Sequence, residues 1–145
     1  MHERDDEVLR FPAESGCFGC STSNPAGLQL TFRRRDGGIV SRYAIPDRFH
    51  GAPGIAHGGI VASIFDEISC AAVFFTRGSH VVTGELNVRY LQPCPVGTLI
   101  EFHARIVDDT HLRYAVVEAQ ALSGSSLLAR SSGKFFYVER STSAP

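Results

Sequence analysis

From Ile60 to Phe75 the chain reads Ile-Val-Ala-Ser-Ile-Phe-Asp-Glu-Ile-Ser-Cys-Ala-Ala-Val-Phe-Phe, apolar on nearly every side of a 3.6-residue turn. Such a helix is wrapped by something larger rather than laid on a surface. Arg77-Gly78 supplies its stop, a cation where the macrodipole favours one and a residue free to turn left-handed. Ahead of it, Leu28 to Arg33 alternates apolar and polar, and Ile39 to Ile45 continues after Arg35-Asp36-Gly37-Gly38. That pattern predicts a hairpin with Arg33-Arg34-Arg35 at its tip, read as a solvated turn. Behind the helix, Val81 to Gln92 puts Leu86, Val88 and Tyr90 on one face and Thr83, Glu85, Asn87 and Arg89 on the other. Leu99 to Val107, Leu112 to Leu122 and Leu127 to Val138 follow as further strands. Two strands, one long helix and four strands cannot build βαβ layers. The economical packing is an α+β fold in which an antiparallel sheet of about six strands curls around one central helix.

A length of 145 residues suggests one domain. Residues 1 to 16 show no sustained period and are expected to be a flexible arm or one short docked turn, with the domain over 17–140 and a disordered tail at 141–145. The formal charge of −1 gives no global reason to expect nucleic acid or an anionic membrane as partner. Met1 to Arg10 is charged with no apolar run behind it, and Ile60 to Phe75 falls below the ~18 residues of a membrane span, so a cytoplasmic protein is expected. Thirteen arginines against one lysine mean that any local positive site favours planar recognition of phosphate or carboxylate. Cys17-Phe18-Gly19-Cys20 has a ligand-like spacing, but Cys70 and Cys94 stand apart from it, and Asn24-Pro25-Ala26-Gly27 does not open a helix. Packing in a tight turn is the expected role, with no metal bound.

Asp66 is the anomaly in the helix. A carboxylate in apolar surroundings costs several kcal/mol unless it is paired or neutralised. It is either a satisfied core group, bonded to Ser63, Ser69 or a strand hydroxyl, or a functional one. Gly58 and Gly59 fall in the first turn, where backbone N–H groups lack intrahelical acceptors and no Cβ bars an approaching carbonyl oxygen. Donors fixed there have the physics of an oxyanion hole. Gly59 and Asp66 are seven residues apart, roughly 10 Å along the axis at 1.5 Å per residue, further than an aspartate reaches. If both act on one carbonyl, Asp66 acts on a carbonyl held by a second copy, which predicts a symmetric dimer with two shared sites.

His57-Gly58-Gly59 followed by Asp66, and preceded by Phe49-His50-Gly51-Ala52-Pro53-Gly54-Ile55-Ala56, resembles the hotdog-fold acyl-CoA thioesterases of the phenylacetate-pathway and 4-hydroxybenzoyl-CoA type. Cys17-Phe18-Gly19-Cys20 with Asn24-Pro25-Ala26-Gly27-Leu28, and Thr83 to Pro93, are similar to signatures of one branch, so the resemblance runs from Cys17 to Val138. It implies Asp66 as general base or nucleophile, Gly59 with Gly58 as donors to the thioester carbonyl, His57 as the histidine shaping that site, and Thr83 as a hydroxyl orienting water or carboxylate. Ser21 stands where many members have glycine, and Gly51 near the place where some use an asparagine. Glu67 is a second acid, but at ~100° per residue only one of two neighbours faces a given site.

The resemblance implies hydrolysis of an acyl-CoA to free acid and CoA by a homodimer or homotetramer without metal or organic cofactor. Ile64, Phe65, Phe74 and Phe75 are the expected acyl-pocket lining, if they face the seam between copies. Arg77, Arg89, Arg130 and Lys134 are the candidates for the CoA phosphates, each also readable as solvated surface. Two rivals stand beside this. One is a non-catalytic acyl-CoA sensor. The other is a hydratase or dehydratase using His57 and Asp66 as an acid/base pair across subunits.

Overall fold

The computed structural model describes residues 7–12 and 16–138. Its elements are β1 (Arg33–Arg35), β2 (Gly38–Ala44), α1 (Gly58–Arg77), β3 (Val81–Tyr90), β4 (Leu99–Asp108), β5 (Tyr114–Ser123) and β6 (Ser126–Tyr137). The strands form one six-stranded antiparallel sheet in the order β1-β2-β4-β5-β6-β3. The long helix packs against it, which is the architecture the sequence pattern predicts.

The core lies between α1 and the sheet. Val61, Ile64, Phe65, Ile68, Ala71, Ala72 and Val73 of the helix are buried with Ile39, Ile100, Phe102, Ala104, Val117 and Phe135 of the strands. Phe65 meets Phe102 edge-on at 5.6 Å between ring centres, a geometry that adds to area burial. Gly78 ends the helix with φ +73° and an N–H donated to the Phe74 carbonyl. At 20 residues α1 is longer than the sequence pattern predicts, and is long and apolar enough to cross a bilayer; its apolar side is buried against the sheet. Wrapping is incomplete, because Ala62, Ser63, Asp66 and Cys70 are only half-buried. They lie at helical spacing and form an open stripe on the single chain.

The amino-terminal hairpin differs from expectation. Leu28, Leu30 and Phe32 are buried in alternation as predicted, but Gln29 has φ +57° and strand pairing starts only at Arg33. The arginine run is therefore a strand, with the turn at Asp36-Gly37. Its side chains are solvent-accessible and also engaged: Arg34 donates to the Phe75 carbonyl at the helix end, and Arg35 pairs with Glu101 at 2.5 Å. Within the expected arm, Leu9 N–H bonds the Phe32 carbonyl and Phe11 packs against Phe32, Phe74 and Phe75, so this part is docked. The expected tail, 141–145, lies outside the described residues.

Candidate active site

The loop before the helix fixes where the helix begins. Gly51 N–H bonds the Ile55 carbonyl, His57 N–H the Phe49 carbonyl, and Ala56 N–H the Cys94 carbonyl in the connection between β3 and β4. The chain thus enters α1 held from two sides. His57 is the N-cap: its Nδ1 accepts the Gly59 N–H at 2.9 Å, so the neutral ring carries its proton on Nε2. The Tyr90 hydroxyl donates to the Gly58 carbonyl at 2.6 Å. Because the Gly58 carbonyl and the Gly59 N–H belong to one peptide unit, that peptide is clamped at both ends. The preceding one is held by its carbonyl, as His57 O accepts from Ile60 and Val61. Its N–H, that of Gly58, has no hydrogen-bond partner among the described residues. Of the two amides nominated from the sequence, the open one is Gly58, and that of Gly59 is taken by the cap.

Asp66 is half-buried on the open stripe, and its Oδ1 accepts a hydrogen bond from the Thr83 hydroxyl. The other two hydroxyls considered from the sequence are elsewhere. Ser63 donates to the Gly59 carbonyl at 2.8 Å, and Ser69 is buried without a partner among the described residues. Thr83 reaches Asp66 because the β3–β6 register shifts between Thr83 and Glu85. The bulge inverts the alternation, so Thr83 lies on the helix side with Leu86, Val88 and Tyr90 and not with Glu85, Asn87 and Arg89 as strict period two predicts. Cys70, one turn on, has its Sγ 3.8 Å from Thr83 Oγ1. Burial first, and then the Asp66 charge, pushes its thiol up to about 12, which keeps it protonated and a poor nucleophile near neutrality. Glu67 turns away from Asp66 toward the Cys17–Cys20 loop, with Cys17 Sγ 3.4 Å from its Oε1.

The structure does not gather all the expected substrate residues. Ile64 and Phe65 are fully buried at 0 % exposure and face the sheet, on the side of α1 away from Asp66, so neither lines the open stripe. Phe74 and Phe75 belong to an aromatic cluster with Phe11, Phe32 and His80 near the far end of the helix. Beside the helix start, a cleft of about 340 Å³ is lined by Ile55, Ala56, Val61, Tyr90 and Leu91. A larger depression of about 910 Å³ lies on the outer face of the sheet, away from the carboxylate. There Arg89 and Arg130 are directly paired across β3 and β6, with Arg105 and His103 in the same wall. Lys134 lies over the Tyr114 ring at 5.4 Å, and Arg77 is engaged by Asp109 at 2.7 Å. Tyr90 and Arg105 were not singled out from sequence. Tyr90 stands on the apolar face of its strand with a hydroxyl that needs a partner, which was the available signal.

Residues 53–123, which span the end of the entry loop, the helix and strands β3 to β5, match the thioesterase superfamily. Mouse acyl-coenzyme A thioesterase THEM5 is 31 % identical over 91 residues, covering 61 % of this chain and 36 % of that protein. The chain therefore spans about a third of the length of that curated relative. Among solved structures, a phenylacetic acid degradation-related protein of Ralstonia eutropha aligns with TM-score 0.67 at 24 % identity, over 75 % of this chain and 85 % of that one. A Bacillus halodurans protein solved with CoA aligns with TM-score 0.68 at 27 % identity, over 79 % and 77 %. The helix framed by the six-stranded sheet is the hotdog fold of those neighbours, and its central segment, residues 53–123, is a thioesterase-superfamily segment.

Proposed function

We propose that this protein is an acyl-CoA thioesterase that works as a homodimer or a pair of homodimers. The observation that carries the reading is one helix with an open amide, Gly58 N–H, at its positive end and a half-exposed carboxylate, Asp66, held by Thr83 further along. The two are eight residues apart, about 12 Å along the axis, so they serve one carbonyl only if the helices of two copies run past each other. The open stripe of Ala62, Ser63, Asp66 and Cys70 supports that seam. The name of the mouse relative and the CoA in the Bacillus neighbour support the substrate class.

In this reading the thioester carbonyl oxygen accepts from Gly58 N–H, in a peptide already oriented and backed by the helix dipole. Asp66 of the second copy either takes a proton from water as it attacks, or attacks itself to give a mixed anhydride that water then opens. Thr83 ties down Oδ1 and leaves Oδ2 to act. The tetrahedral species expels the CoA sulfur, which takes up a proton as the free thiol, and the acid leaves as carboxylate. His57 holds the first turn in register through its cap, a positioning role. The cleft beside Tyr90 is the candidate acyl or pantetheine groove. Hydrolysis so written draws on no metal or organic cofactor.

Free-thiol release from a panel of aliphatic and aromatic acyl-CoAs, comparing wild type with Asp66→Asn, tests this. The expected result is turnover by wild type and a loss of about a hundred-fold or more in a folded variant. Tight binding without turnover by wild type would leave a sensor, and hydration of an enoyl-CoA would leave a hydratase.

A further inference from the structure

We propose that Cys17, Cys20 and Glu67 form a divalent-metal site whose ion is zinc. The sequence offers only a Cys-x-x-Cys pair, two ligands short of a closed site. The fold adds a third from 47 residues further along, because Glu67 points off α1 into the loop that the cysteines open. One ligand atom from each of the three lies within 4.8 Å of the others, and all three residues are half-buried. Zinc binds thiolate sulfur at about 2.3 Å and carboxylate oxygen at about 2.0 Å, which in a tetrahedron separates the two by about 3.5 Å. Cys17 Sγ and Glu67 Oε1 stand 3.4 Å apart.

The turn is built like a metal knuckle. Gly19 N–H donates to Cys17 Sγ at 3.3 Å, a bond that stabilises a thiolate, and Ser21 N–H closes the turn on the Cys17 carbonyl. Leu28 and Leu30 donate to the Phe18 and Gly19 carbonyls and fix the loop from behind. Glycine at 19 leaves room for the carboxylate, since a Cβ there would sit 2.4 Å from Glu67 Cδ and turn that side chain aside. Thiols bind zinc as thiolates, so binding releases protons. Two sulfurs and one oxygen leave a fourth position for water. The site would anchor the amino-terminal loop to α1 one residue from Asp66, and it does not depend on the proposed hydrolysis.

Cobalt(II), titrated into reduced, metal-stripped protein purified without a metal-affinity tag, is the probe. The expected result is one cobalt per chain with thiolate-to-cobalt charge-transfer and tetrahedral d–d bands, bleached by zinc. Cys17→Ser with Cys20→Ser abolishes the bands, and Glu67→Gln weakens binding by about tenfold or more. Circular dichroism checks that each variant is folded. Absence of cobalt uptake by folded, reduced wild type overturns the proposal even if the variants fail to fold. So does binding unchanged in the double serine variant.

Discussion

The proposed chemistry depends first on how one carboxylate is held. Asp66 shares its hydrogen bond with a strand hydroxyl, not with a helix serine, and that choice depends on a bulge that strict alternation does not reveal. Asp66 itself is legible from chemistry, as a charge in an apolar helix. Thr83 was assigned by resemblance yet laid on the wrong face by period two. Thr83→Val keeps the shape and removes the bond, and a hydrogen bond to a charged group contributes about 1.5–3 kcal/mol. In this variant kcat for thioester hydrolysis is expected to fall about tenfold or more with the fold unchanged, read by thiol release beside a thermal melt. Cys70 gives a pH test. Its folded-state pKa is raised from 9.0 to about 12, so the unfolded chain loses that proton first. Stability from this thiol is full below about pH 9 and falls as pH rises toward 12. Denaturant midpoints between pH 8 and 10.5 should decline less steeply in Cys70→Ala than in wild type.

At the scale of elements, α1 does two jobs on two sides. Its all-round apolar sequence hides which side is which, and so Ile64 and Phe65 were expected at a seam they do not reach. Once Asp66 is fixed on the open stripe, helical geometry sends 64, 65 and 68 to the sheet. The helix start is better read from sequence, since the glycine pair and the preceding histidine announce an N-terminus. Which amide stays open is decided by the cap, a contact between Nδ1 and a backbone N–H that only coordinates supply. Tyr90 secures the same turn from β3. Tyr90→Phe frees one end of the Gly58–Gly59 peptide, and the expected result is a several-fold drop in kcat, about the value of one neutral hydrogen bond, with KM little changed. An effect confined to KM would assign Tyr90 to the cleft wall instead.

At the scale of the whole molecule, the sheet order leaves β3 at one edge and the Asp66 stripe beside it uncovered. Strand count and antiparallel class were legible because each strand after the helix keeps its period between clear turn residues. The end of the hairpin was not, because a left-handed Gln29 breaks an extended run without breaking its burial pattern. Sharing of sites between copies is what the proposed chemistry requires, because Gly58 and Asp66 lie eight residues, about 12 Å, apart along one helix. Mixing two inactive variants tests it. Asp66→Asn removes the carboxylate, and Gly58→Val blocks the approach to the amide. Refolded or co-expressed together, they form heterodimers in which one site carries both lesions and the other carries neither. Acyl-CoA hydrolysis is expected to return on mixing, although each variant alone has little. A mixture of folded, exchanged subunits no more active than its parts would contradict a site built from Gly58 of one copy and Asp66 of the other.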